Sequence, residues 1–323
     1  IKVLRDDLSS LSQRVQFRNQ HTIASQINSS HVVKPLALER YEYGYAIVTP
    51  DQGGIALSEY WLSEYWSEDN CSLKDVLASF LSDFLAIAIQ LAEALQDFGK
   101  QRVIHKDIKP SNILIHPETH HIQLIDFSLS SLLSKEQQPL TNLTVLEGTL
   151  AYLSPEQTGR MNRSLDYRTD FYSLGVTFYQ LQTGQLPFVE TDPMALLHAQ
   201  LAKLPVAPHQ LKPTIPNMLS DIVLKLMAKN AEDRYQSALG LKYDLEQCAK
   251  QLAEHAEKLL AQRATQREAE NALEAGNTLA GNEIEAFELE AFELEAFELG
   301  THDRCDRFHI PEKLYGRQSE ASN

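Results

Sequence analysis

The sequence predicts an α+β protein with short strands near its start and middle and longer helices through the remainder. Three observations carry this. Strand-like apolar segments occur at Ile1-Lys2-Val3 and Tyr45-Ala46-Ile47-Val48-Thr49-Pro50. Two more, Ile113-Leu114-Ile115 and Ile122-Gln123-Leu124-Ile125, flank a turn. Apolar residues recur at helical spacing over 81–98, 170–183 and about 237–275. With 323 residues and 43% apolar content, the chain exceeds one average domain and can bury a sizeable core.

In chain order, Ser58-Glu59-Tyr60-Trp61 recurs as Ser63-Glu64-Tyr65-Trp66, a short duplication consistent with slippage. The helix over 81–98 places Phe84, Ile87, Ala88, Leu91 and Leu95 on one face and is expected to stop at Gly99. The helix over 170–183 should stop at Gly184, and Asp192-Pro193 should open the next as N-cap and first-turn proline. The last helix spaces Leu241, Leu245, Cys248, Leu252, Ala256 and Leu259 by three or four. Its first half should cover the preceding lobe and the rest should be a solvated connector, a coiled-coil seam being the alternative.

His105-Lys106-Asp107-Ile108-Lys109-Pro110-Ser111-Asn112 carries the chemistry. It sets a carboxylate, an ammonium two residues later and a carboxamide five residues later on one short loop. Phosphoryl transfer uses those groups to orient a hydroxyl, neutralise the moving phosphate and hold a metal ion. Asp126, in Asp126-Phe127-Ser128, offers a second metal-gripping carboxylate. Taken alone, the loop is also compatible with a turn that satisfies backbone groups, or with a small-molecule phosphotransferase.

Further segments follow in order: Gly148-Thr149-Leu150-Ala151-Tyr152-Leu153-Ser154-Pro155-Glu156, Asp170-Phe171-Tyr172-Ser173-Leu174-Gly175, and Glu232-Asp233-Arg234-Tyr235. Together with the loop they resemble the eukaryotic-type Ser/Thr protein kinases over residues 1 to 248. The resemblance implies a bilobal protein-kinase-like fold with a mainly α-helical C-lobe. It also implies ATP and Mg2+ as cofactors and a protein substrate with a Ser or Thr acceptor. By the same resemblance Asp107 is the catalytic base and Lys109 the phosphate clamp, while Asn112 and Asp126 are the metal ligands. The resemblance also implies that Lys2 pairs with the α- and β-phosphates and that Val48, as a small gatekeeper, and Thr49 line the adenine hinge; the residues alone equally allow an ordinary surface lysine at Lys2 and a core strand without a ligand over 45–50. Asp170 caps the catalytic loop's backbone, Arg234 pairs with Glu156 of the substrate platform, and Thr149 accompanies Ser/Thr selectivity. His105 and Phe127 are core residues stacked beneath the site.

Four departures from the family pattern stand out. No strands or Gly-x-Gly-x-x-Gly loop precede Lys2, so the N-lobe lacks its lid and the chain reads as truncated at its start. Between Val3 and Leu38 there is no glutamate to hold Lys2, which makes Gln20 its partner; Asp6 and Asp7 come too early. Ser128 replaces the glycine of Asp-Phe-Gly and restricts φ. Lys106 replaces an arginine, and an ammonium cannot form the bidentate fork that grips a phosphorylated loop. Thr141 and Thr144 remain the candidates for such phosphorylation.

The net charge of −15 and the lack of a basic stripe argue against nucleic-acid binding. Cys71, Cys248 and Cys305 are scattered without zinc spacing, which fits a reducing compartment. No apolar run reaches the ~20 residues that span a bilayer, so the expected location is cytoplasmic, without membrane partners.

Beyond the lobe, residues 283–300 hold seven glutamates and no base. There the pentad Glu-Ala-Phe-Glu-Leu runs three times. A five-residue period matches neither helix nor strand, so a mobile repeat-expanded spacer is expected, with a short docking motif as the minority reading. Ile310-Pro311-Glu312-Lys313-Leu314-Tyr315-Gly316-Arg317 resembles the junction joining kinase and P-loop ATPase regions in large cyanobacterial signalling proteins, which often continue into GAF and histidine-kinase modules. No G-x-x-x-x-G-K-[S/T] follows, so the tail reads as severed. The expected organisation is a partial N-lobe over 1–50 and a C-lobe with hinge over 51–248. A helical connector over 249–282, the acidic spacer over 283–300 and a junction over 301–323 complete it. Two functions stay open: phosphorylation of protein Ser/Thr hydroxyls in signalling, and an impaired, pseudokinase-like module that binds or regulates partners.

Overall fold

The computed structural model describes residues 1–5, 10–41, 44–66, 73–132, 150–159, 165–274 and 293–303. Asp6, Asp7, Cys71, Thr141, Thr144, Thr149, Cys305, repeat residues 285–292 and the 310–317 junction lie outside them.

Two lobes form, as the sequence predicts. The smaller carries an antiparallel sheet in the order β1-β3-β2, made of β1 (Lys2–Arg5), β2 (Ala37–Tyr41) and β3 (Gly44–Val48). Lys2 sits opposite Ile47 and Leu38 opposite Ile47 from the other side, so register fixes which face Lys2 occupies. Helix α1 (Leu11–Gln26) starts with a capping box: Gln13 N–H donates to Ser10 Oγ at 3.3 Å, and Ser10 N–H donates to Gln13 Oε1 at 2.8 Å. It buries Phe17, Ile23 and Ala24, which leaves Gln20 free to face the sheet and cleft.

Between the lobes run β4 (Ile55–Ala56) and α2 (Leu57–Tyr65), followed by the long α3 (Leu73–Gln101). Both copies of the Ser-Glu-Tyr-Trp duplication contribute to α2, which buries Tyr60 and Trp61. The Trp61 indole N–H donates to the Leu181 carbonyl at 2.8 Å. Gly99 does not end α3. The helix continues two residues, and Arg102 takes the left-handed conformation instead, with φ 59°. A Cβ at Gly99 would touch nothing, so that glycine is not needed for a turn.

Next come β5 (Val103–Ile104), β6 (Ile113–Ile115), β7 (Ile122–Leu124) and β8 (Ser131–Leu132). They pair as β4-β6-β7 and β5-β8, two small antiparallel sheets that bracket the 105–112 loop.

The larger lobe is helical: α4 (Arg168–Thr183), α5 (Pro193–Ala202), α6 (Pro208–Leu211), α7 (Asn217–Leu226) and α8 (Ala238–Glu274). Helix α4 is buried on nearly every side, as a central helix must be, and ends at Gly184 with φ 78°. At Gly175 a Cβ would lie 2.8 Å from Leu226 Cβ and Met227 Cγ, so glycine lets α7 approach. Asp192 caps α5 by accepting the Ala195 N–H. Leu241, Leu245 and Cys248 bury the first half of α8 against the lobe, while Glu254, Glu257 and Lys258 are exposed.

The expected mobile spacer over 283–300 differs at its end. Residues 293–303 lie on α7 and α8, with Leu294 buried and Phe297 and Leu299 partly buried against the core. No helix among the described residues is long and apolar enough to cross a membrane.

Candidate active site

The 105–112 loop folds as it does because α4 holds it from below. Asp170, near the start of α4, accepts the backbone N–H groups of His105 and Lys106, both at 2.7 Å. Lys106 is thereby kept at φ 69°, and its carbonyl accepts from Gln157 Nε2 at 3.1 Å. A left-handed non-glycine residue costs about 1–3 kcal/mol, so it persists only where neighbours over-determine it, as these bonds do. His105 is fully buried between Phe98 and Phe127, with ring centroids 6.2 and 4.7 Å away. Its Nε2–H donates to the Ile125 carbonyl at 3.2 Å and its Nδ1 accepts from Asp107 N–H at 3.3 Å. Burial lowers its pKa, and both bonds use the neutral ring.

Above this floor, the Asp107 carboxylate meets Lys109 Nζ at 3.1 and 2.8 Å. Asn112 Nδ2 donates to Asp107 Oδ2 at 2.7 Å and to its carbonyl at 2.9 Å. With its amide nitrogen committed this way, Asn112 turns Oδ1 away from Asp107 and makes it the atom available to a cation. Asp107 and Asn112 are both buried. Asp126 is brought alongside by the β6–β7 pairing, because the Ile125 N–H donates to the Asn112 carbonyl at 3.0 Å. Asp126 itself is left-handed, with φ 64°, a conformation aspartate tolerates better than most residues.

Lys2 reaches across from the small lobe. Its ammonium lies 2.8 Å from Asp126 Oδ1 and 2.9 Å from Gln20 Oε1, so Gln20 is its neighbour on α1 as the sequence implies. Burial works to raise the Asp126 pKa, but the Lys2 hydrogen bond and charge, with Ser128, hold it below the usual carboxylate range. Val48 closes β3 opposite Ala37, its carbonyl accepting Leu36 N–H at 2.7 Å, and Thr49 follows half-buried at the lobe junction.

The pair Asn112 and Asp126 presents an amide and a carboxylate oxygen, donors suited to a hard divalent cation such as Mg2+ that keeps much of its water. Among the described residues no group of three or more His, Cys, Asp or Glu side chains gathers as a metal centre.

Next to the loop, Glu156 and Arg234 form a buried bidentate pair: Nη1 to Oε1 at 2.6 Å and Nη2 to Oε2 at 2.8 Å. Thr169 donates to Glu156 at 2.9 Å, and Arg234 also donates to the carbonyls of Ala228, Arg168 and Lys229. Burial would raise the Glu156 pKa; Arg234 outweighs it and holds it low.

Two contributors escaped the sequence reading. Gln157 pins the loop through Lys106, and its Ser154-x-x-Gln157 capping box was the available signal. Asn19 ties α1 to the segment after Asp126 by donating to the Ser130 carbonyl at 2.9 Å, while Ser130 Oγ donates to the His105 carbonyl at 3.0 Å.

Known proteins resemble this chain in sequence. A probable serine/threonine-protein kinase of Clostridium perfringens is 29% identical over 255 residues, 77% of this chain and 34% of that protein. The serine/threonine-protein kinase PknB of Mycolicibacterium smegmatis is 33% identical over 251 residues, 76% of this chain and 38% of that protein. The hybrid signal transduction histidine kinase G of Dictyostelium discoideum is 32% identical over 240 residues, 54% of this chain and 7% of that protein. The chain thus spans about a third of the length of the bacterial relatives it matches. Residues 1–256 match the protein kinase domain, and the chain belongs to the protein kinase family.

Proposed function

We propose that this protein transfers the γ-phosphoryl group of ATP to Ser or Thr hydroxyls of protein substrates in signal transduction. The observation that carries the reading is the Asp107 carboxylate, oriented at once by Lys109 and by Asn112, whose carbonyl takes the N–H of Ile125, the neighbour of Asp126. The acceptor's hydroxyl proton passes to Asp107 as its oxygen bonds to the γ-phosphorus, and the bond to the bridging oxygen breaks to release ADP. Lys109 offsets charge on the moving group, and Lys2 holds the α- and β-phosphates. Asn112 and Asp126 are the residues that would hold Mg2+, whose charge when bound offsets that of the phosphate oxygens. Val48 and Thr49 would line the adenine at the hinge. Ser/Thr acceptors are supported by the names of the bacterial relatives and by Lys109.

A place within a larger cytoplasmic signalling protein, linked to ATPase, GAF or histidine-kinase modules, is supported by the 310–317 junction and by the hybrid histidine kinase relative.

The test is Mg2+-dependent phosphate transfer from ATP to a generic Ser/Thr protein, comparing wild type with Asp107→Asn. Transfer should fall by at least about 100-fold in the variant, the scale of a lost general base. A variant as active as wild type would overturn the assignment.

A further inference from the structure

Residues 293–303 are anchored by both apolar and polar contacts. Leu294 is buried, and Phe297 and Leu299 lean on the core. Lys225 Nζ donates to the Leu299 carbonyl at 3.3 Å, and Gln251 Nε2 donates to the Glu295 carbonyl at 3.3 Å. His302 stacks on Tyr243 with centroids 3.8 Å apart. The Gly300 N–H donates to Asp244 Oδ2 at 2.8 Å. Asp303 accepts twice at the start of α8, from Gln236 N–H at 2.6 Å and from Ser237 Oγ at 2.8 Å. Gly240 is the seat for that carboxylate, since a Cβ there would lie 2.6 Å from Asp303.

These contacts converge on one turn. Asp244 Oδ2, which takes the Gly300 N–H, also takes the Tyr235 hydroxyl at 2.7 Å. Gln236, which donates to Asp303, accepts from Arg168 Nη1 at 2.8 Å and donates back to the Arg234 carbonyl at 2.7 Å. Tyr235 and Gln236 directly follow Arg234, the arginine that grips Glu156.

We infer that the α7–α8 face is a peptide-docking site whose occupant is the chain's own segment 293–303, and that Asp303 acts through it as a positioning residue for the substrate platform. The platform's role rests on the kinase reading above; the docking does not.

The repeats bear on the register. Sliding the tail back by one pentad would bring Leu289, Phe292 and Leu294 to the places of Leu294, Phe297 and Leu299, with Glu298 in place of Asp303. It would also bring Glu295 to the place of Gly300, which has φ 81° and whose Cβ would lie 2.8 Å from Lys225 Nζ. The left-handed Gly300, together with His302 and Asp303, which the slid register would replace by Phe297 and Glu298, therefore favours the last pentad.

The experiment uses a fluorescein-labelled peptide of residues 293–303 and the full chain as wild type, Leu294→Asp/Phe297→Asp and Asp303→Ala. The peptide should bind the double variant at least tenfold more tightly than wild type, whose own segment competes. A peptide carrying Asp303→Ala should bind at least tenfold more weakly. In the chain, Asp303→Ala should speed amide hydrogen exchange several-fold over 231–240 and 150–159, with Asp303→Asn intermediate. In phosphate transfer it should raise KM for the protein acceptor several-fold and leave kcat within twofold. A double variant that fails to capture the peptide would overturn the docking. Unchanged exchange over 150–159 in Asp303→Ala would overturn the positioning role. Peptide binding and exchange need no turnover, so a chain inactive on every acceptor would count against the kinase reading alone.

Discussion

The two ends of the active cleft are built to different standards. At the end proposed to seat the protein substrate, Glu156 and Arg234 have side chains 6% and 0% exposed and share two short bonds, with four further partners around them. At the end proposed to hold the phosphates, Lys2 and Asp126 have side chains 45% and 30% exposed and meet through a single contact, aided by the neutral amide of Gln20. A buried, hydrogen-bonded pair strongly penalises loss of either member, whereas an exposed one contributes about 0–1 kcal/mol. The Glu156–Arg234 pair is thus part of the folded lobe's foundation, while the Lys2–Asp126 pair can be adjusted with little effect on folding.

Breaking the comparison at its strong end should have the largest effect. Arg234→Met leaves Glu156 charged and buried and should cost about 3–5 kcal/mol, read from urea unfolding followed by tryptophan fluorescence. Arg234→Lys should recover little, since an ammonium cannot fill both bonds.

Acid titration gives the next effect. The Glu156 pKa is lower in the folded chain than in the unfolded one. Its contribution is therefore complete above the ordinary carboxyl value near ~4.3 and is lost as pH falls through the folded value. Stability measured between about pH 5 and pH 2.5 should fall more steeply for wild type than for Glu156→Gln/Arg234→Met. Equal slopes would mean that the pair is not what titrates.

At the weak end, Lys2→Met should change unfolding free energy by less than about 1 kcal/mol while weakening ATP binding measured by calorimetry. The smallest expected effect sharpens the contrast from the other side. Gln20→Glu gives Lys2 a charged partner and relieves its hold on Asp126, so KM for ATP should drop a few-fold with the melting temperature unchanged. A rise in KM would show that the amide is the better partner at this site.

Much of this was legible because it is written locally. Asp107, Lys109 and Asn112 lie within six residues, so one loop conformation brings them together, and the β6–β7 hairpin carries Asp126 in by strand pairing alone. Gln20 could be named because no glutamate competes on its helix. The misplaced boundary at Gly99 has a different origin: nothing crowds that glycine, and Arg102 accepts the left-handed turn just before β5. The tail failed for a third reason. A five-residue period has no single face, so no periodicity test sees a segment held by side chains from α7 and α8 far away in sequence. Only Gly300 and Asp303 mark it, and their meaning comes from Lys225, Asp244 and Gly240.

Gly175 has a reach beyond its own helix. Because it carries only a hydrogen, Leu226 and Met227 settle directly onto the α4 backbone, and the chain leaving Met227 supplies the Ala228 and Lys229 carbonyls that brace the Arg234 guanidinium. A single methyl group inserted there would act as a wedge, pushing the brace outward and slackening the arginine's hold on Glu156. The seating of the Glu156–Arg234 pair in this sense depends on one absent carbon.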